Sequence, residues 1–124
     1  MIVGIGVDIV DARRIQHMIE QYGKKFLNRV FTQAEQDYAD AATDPKRRLL
    51  RYANRFAAKE AFVKALEDAQ GLSWQDIEVT KEPNGRPGII LHKSVNDTYN
   101  IHLSLSDEYP YSHAYIIIEK KPLI

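Results

Sequence analysis

A glutamate and a lysine one helical turn apart, Glu60 and Lys64, stand where a helix should be apolar. Asp44-Pro45 is an N-cap followed by proline at the first helical position, so a helix is expected to run from there to about Ala69. At about 100° per residue, Leu49, Tyr52, Ala53, Phe56, Ala57 and Val63 fall within an arc of roughly 160°, with Glu60 and Lys64 near its middle. One reading is a solvated i,i+4 pair of the kind that decorates many helices. The other is a pair of charges kept on an apolar face for their chemistry, because burying charge is costly unless something answers it. Beside this arc, Arg48, Arg51, Arg55 and Lys59 form a stripe about 80° wide. Such a stripe is either a solvated face or an anion site, since guanidinium forks suit phosphate.

Asp8 is the second unusual acid. It ends an apolar strand on the face that also carries Gly4 and Gly6, where missing side chains leave room for another backbone or for a ligand. An acid at the end of such a strand either caps the following helix, a role Asp11 suits better, or presents its carboxylate to a ligand. Asp8 and Glu60 together would suit Mg²⁺, a hard ion that takes one or two carboxylates and fills its other positions with phosphate oxygens and water.

Other chemistries find less support. The absence of cysteine excludes thiolate catalysis, disulfides and Cys-ligated zinc. His17, His92, His102 and His113 show no ligand spacing. The Gly4–Ile9 segment lacks the third glycine of a dinucleotide fingerprint, and Ser104 and Ser106 have no evident histidine–acid partners.

The elements that must position these groups follow from local signals. Residues 2–9 read as a strand with Val3, Ile5, Val7 and Ile9 on one face. Asp11 caps a helix to about Tyr22, with Ile15, Met18, Ile19 and Tyr22 on its stripe. Thr32 and Glu35 form a capping box that starts a short helix at Gln33. Trp74–Glu82 and Gly88–His92 alternate as strands around the Asn84-Gly85 turn. Tyr99–Ser106 and Ser112–Glu119 complete the set. One strand, helices and then hairpin-like strands predict an α+β fold, a mostly antiparallel sheet packed with one long helix and shorter ones.

The 124 residues carry 17 basic and 17 acidic side chains, a net charge of zero, and 44% hydrophobic content. This predicts one globular domain over residues 1–124. Neutrality, and a basic stripe without an aromatic platform, argue against a nucleic-acid partner. No apolar run approaches the roughly 20 residues of a membrane span. The opening MIVGIGVDIV reads as a strand and not as a secretory signal, so a cytoplasmic location is expected. A body this small builds only a shallow pocket alone, and a large ligand calls for a second subunit.

In order along the chain, the motifs resemble those of holo-[acyl-carrier-protein] synthases, the small class of 4′-phosphopantetheinyl transferases. They are Gly4-Ile5-Gly6-Val7-Asp8-Ile9, then Arg55-Phe56-Ala57-Ala58-Lys59-Glu60-Ala61-Phe62-Val63-Lys64-Ala65, then Ser73–Val79, the Asn84-Gly85-Arg86-Pro87 turn and His102–Ser106. The resemblance implies transfer of the phosphopantetheine arm of coenzyme A to a serine of apo-acyl carrier protein. Adenosine 3′,5′-bisphosphate would be released, and the product would serve fatty acid biosynthesis. It implies that Asp8 and Glu60 hold Mg²⁺, that Glu60 takes the serine proton directly or through a bound water, and that Lys64 contacts the phosphate. Coenzyme A would be held by Arg48, Arg55, Lys59, Lys64, Asn84, Gly85, Arg86, Pro87 and Ser106. Carrier protein would dock on Arg14, Met18, Lys25 and Phe26. A homotrimer with sites between subunits is implied as well.

The chain departs from the family pattern twice. Leu66–Gly71 is shorter and more acidic than the family's glycine-rich loop, and Asp107 stands where many relatives place histidine. The altered loop keeps a second reading in play, a weak or inactive relative that binds carrier protein or nucleotide without turnover.

Overall fold

The computed structural model describes residues 1–66, 71–93 and 99–122. In chain order they form β1 (Ile2–Asp11), α1 (Ala12–Tyr22), α2 (Lys24–Val30), α3 (Gln33–Asp40) and α4 (Pro45–Ala65). A single 3₁₀ turn (Trp74–Asp76) leads into β2 (Ile77–Lys81), β3 (Pro87–Leu91), β4 (Tyr99–Glu108) and β5 (Tyr111–Lys120). Every ladder is antiparallel, and the strands form two sheets, β1-β5-β4 and β2-β3. The expected α+β class holds.

The helix starts follow the local signals. The Asp11 carboxylate accepts from the Arg13 N–H at 2.9 Å, Thr32 and Glu35 make their reciprocal box, and Asp44 accepts from the Arg47 N–H. Two expectations are corrected and one element is added. Helix α4 stops at Ala65 because Leu66 is extended, so it does not reach Ala69; residues 67–70 lie outside the described set. The strand expected from Trp74 begins only at Ile77, because Ser73 and Asp76 close the 3₁₀ turn first. Helix α2 was not anticipated; Gly23, at φ 55°, makes the break that separates it from α1.

The core is built around α4. Ala53, Ala57, Ala61 and Ala65, spaced by four, are all buried and form a ridge of small residues. Against this ridge lies β1, with Gly4 over Ala65 and Gly6 over Ala61. A β-carbon at Gly4 would stand 1.7 Å from the Ala65 carbonyl oxygen, and one at Gly6 1.9 Å from that of Ala61. The room left by the glycines is therefore filled by helix backbone.

This packing decides which face of β1 is inward. Val10 is buried on the glycine face, whereas Val3, Ile5, Val7 and Ile9 are exposed. Tyr115 and Ile117 of β5 are exposed as well, across from Val7 and Ile5 in the ladder. The three-stranded sheet thus packs α4 on one side and presents apolar side chains on the other.

Candidate active site

The close approach of β1 to α4 brings Asp8 to Lys64. The Lys64 ammonium donates to Asp8 Oδ1 at 2.9 Å and to the Val7 carbonyl at 3.2 Å. The Asp8 side chain is only 14% exposed and that of Lys64 54%, so the acid is sheltered and the base reaches it from solvent. The surface pair Glu60–Lys64 is not what forms, because the ammonium turns to the strand.

Glu60 is half-buried one turn before Lys64. Burial pushes its carboxyl above the ordinary range and the charge of Asp8 pushes it further, while Lys64 and Arg14 pull it back. Lys64 is itself held above its ordinary value, first by the hydrogen bond to Asp8. Two carboxylates that sense each other, with two cations close by, are what a divalent cation and a phosphate would require. Among the described residues no third acid or histidine completes an all-protein cage.

A second cleft, of about 240 Å³, lies on the other side of α4. Arg55 lies in its wall with its guanidinium 4.1 Å above the Tyr38 ring. Arg51 stacks on the same ring at 4.2 Å, and Lys81 lies 5.7 Å from its centre. Gly85 of the β2–β3 turn and Pro87 at the start of β3 line the cleft with Arg55. Asn84 holds the turn by accepting from the Arg86 N–H at 3.0 Å, and the Arg86 side chain is exposed. Burial lowers the affinity of Arg55 for its proton, and its Nε has no partner among the described residues.

Other expected ligands lie elsewhere. Lys59 is wholly buried, and its ammonium is within hydrogen-bonding distance of Glu35 Oε1 at 2.6 Å and of the Val30 and Trp74 carbonyls at 2.7 and 2.9 Å. With its donors committed, it anchors the helix and has none left for a phosphate, which corrects that expectation. The basic stripe is no single solvated face, since Arg55 is also buried. Arg48 reaches the Ala42 carbonyl at 3.4 Å and lines a different groove beside Tyr52. Ser106 alternates away from Leu105, so it lies on the exposed side of the sheet and outside the Arg55 cleft of its own chain.

The cleft also holds residues that sequence reasoning missed. Asp107 accepts from Arg47 and Asn54, each at 3.0 Å, which ties the end of β4 to α4. Tyr38 carries the cations. The only signal for it was the i,i+4 spacing of Arg51 and Arg55, which puts both on one face.

The four residues expected to dock a carrier protein gather on α1 and α2. Met18 and Phe26 line two adjoining depressions, one with Arg14 and Phe56, the other with Lys25, Tyr22 and Arg29. Phe26 is buried as a floor and Met18 is exposed at the rim.

Fold and site together define a class, and residues 4–116 match the family model of the 4′-phosphopantetheinyl transferase superfamily. The holo-[acyl-carrier-protein] synthase of Paramagnetospirillum magneticum is 42% identical, covering 98% of this chain and 99% of its own. That of Xanthobacter autotrophicus is 46% identical over 98% and 97%. A crystal structure of the Bacillus anthracis synthase in complex with CoA (3′,5′-ADP) superposes with a TM-score of 0.84 at 35% identity, covering 98% of this chain and 99% of that one. The chain belongs to the holo-[acyl-carrier-protein] synthase family, and is an enzyme of the phosphopantetheinyl transferase class.

Proposed function

We propose that the chain transfers the 4′-phosphopantetheine group of coenzyme A to a serine hydroxyl of apo-acyl carrier protein, in support of fatty acid biosynthesis in the cytoplasm. The observation that carries this reading is the convergence of Asp8, Glu60 and Lys64 where β1 crosses α4. The relatives' names and the coenzyme A bound in the Bacillus anthracis structure support it.

In the reaction the serine oxygen forms a bond to the phosphorus that carries the pantetheine arm. The bond from that phosphorus to the bridging pyrophosphate oxygen breaks, and adenosine 3′,5′-bisphosphate leaves. Glu60 in its ionised form takes the serine proton. Lys64 lies one turn along the same helix face and stabilises charge on the phosphate oxygens. Asp8 and Glu60 would hold Mg²⁺, which when bound neutralises charge on the pyrophosphate. Arg55, with Gly85 and Pro87, receives the nucleotide end, Arg86 and the Asn84 turn border it, and the Arg14, Met18, Lys25 and Phe26 surface meets the acidic carrier protein.

The working unit in this reading is a homotrimer. The exposed apolar side of the sheet, with Ile5, Val7, Ile9, Tyr115 and Ile117, is a surface that assembly would cover. Ser106 lies on that side, so it would complete a neighbour's coenzyme A site. No helix among the described residues is long and apolar enough to cross a membrane. Chromatography of the reaction mixture tests the proposal: adenosine 3′,5′-bisphosphate should appear only with both coenzyme A and apo-carrier present. A mixture that releases none with several carriers would leave the binding-only reading.

A further inference from the structure

A cation already occupies the carboxylate assigned to the metal. The Lys64 ammonium lies on Asp8 Oδ1 at 2.9 Å and is steadied by the Val7 carbonyl at 3.2 Å. We propose that Lys64 is a placeholder, pairing with Asp8 in the metal-free enzyme and released toward the phosphate when a divalent cation takes Asp8. This inference rests on the reading of Asp8 and Glu60 as the metal carboxylates.

Geometry and charge make the exchange feasible. Asp8 lies on β1 and Lys64 on α4, so the ammonium bridges the strand and the helix that carry the two carboxylates. Arg14 is the other cation sensed there, and it comes from α1. The Lys64 end of the pair lies more than half in water, so its bond to Asp8 is weak and easily replaced. A lysine is a point charge on a flexible four-carbon stem, able to swing without moving the helix. A doubly charged ion on Asp8 removes the reason for the ammonium to stay, and the freed charge is then available to a phosphate oxygen. Metal and coenzyme A binding are thereby coupled, since without the metal Asp8 competes with phosphate for the same lysine.

The test uses the whole protein without coenzyme A. With lysine labelled in ¹⁵N and ¹³C, the Lys64 ammonium signal, identified by its loss in Lys64→Gln, should be restrained in the metal-free wild type. It should become mobile on adding Mg²⁺. In parallel, Mn²⁺ binding followed by electron paramagnetic resonance should be tighter in Lys64→Gln by about two- to fivefold, the worth of an exposed ion pair, and weaker in Asp8→Asn. If Asp8→Asn weakens Mn²⁺ binding but the wild-type ammonium stays restrained, or Lys64→Gln binds no tighter, the exchange is overturned and the metal assignment stands. If Asp8→Asn leaves Mn²⁺ binding unchanged, or no ion binds, the assignment falls and the exchange with it.

Discussion

Glu35 and Lys59 meet at 2.6 Å with neither side chain exposed to solvent. Glu35 also accepts from the Thr32 N–H at 2.8 Å and the Val79 N–H at 2.7 Å. With the bonds from Lys59 to Val30 and Trp74, the pair joins α2, α3, α4, the 3₁₀ turn and β2 one residue before Glu60. Removing one partner strands a buried charge. Lys59→Met or Glu35→Gln alone should cost about 3–5 kcal/mol in chemical denaturation, and the double variant less than the sum.

The two glycines of β1 set how closely the strand approaches α4. Gly6→Ala must push the Ala61 carbonyl away, because the new carbon would stand 1.9 Å from it. Overpacking of this kind costs about 1–3 kcal/mol, and here it also moves Asp8 away from Glu60 and Lys64. Transfer should fall far more than stability under folding conditions, measured as rate against melting temperature in one preparation.

Glu60 gives the site its pH dependence. Its carboxyl is raised above the ordinary 4.5 by burial and by Asp8, so below that raised value it is protonated and accepts no proton from serine. In the metal-free protein Glu60 should therefore keep its proton to a higher pH than an ordinary glutamate. There, Asp8→Asn should lower the Glu60 value and Lys64→Gln should raise it, followed by ¹³C NMR of the carboxyl. The linked stability has the opposite sign. The folded chain binds this proton more tightly than the unfolded one, so its contribution is full below the unfolded value and is lost as pH rises through the folded one.

What was legible beforehand was local. Asp11, Thr32 with Glu35, and Asp44-Pro45 announced their helices because a cap and its N–H are neighbours in sequence. Asp8, Glu60 and Lys64 stood out as charges in apolar company. Lys59 misled because its partner Glu35 lies on another helix, so a helical wheel counted a buried ammonium among surface cations. The inward face of β1 was undecided for a similar reason. Both its faces are nonpolar, and only contact with the alanine ridge selects the glycines. Tyr38 and Asp107 acquire their roles wholly from distant residues.

Assembly provides a separate test. Ile5 is 68% exposed and lies on the apolar side of the sheet, away from Asp8. Ile5→Glu should leave the chain folded but shift sedimentation from trimer to monomer, with transfer falling in step. A monomer as active as wild type would contradict shared sites.

The most direct measurement is the intact mass of an apo-carrier protein incubated with the enzyme, coenzyme A and Mg²⁺. The carrier should gain one phosphopantetheine with wild type, and almost none with Asp8→Asn, Glu60→Gln or Lys64→Gln, each shown to be folded. Full mass gain with Asp8→Asn and Glu60→Gln would place the chemistry away from the junction of β1 and α4 and contradict the account.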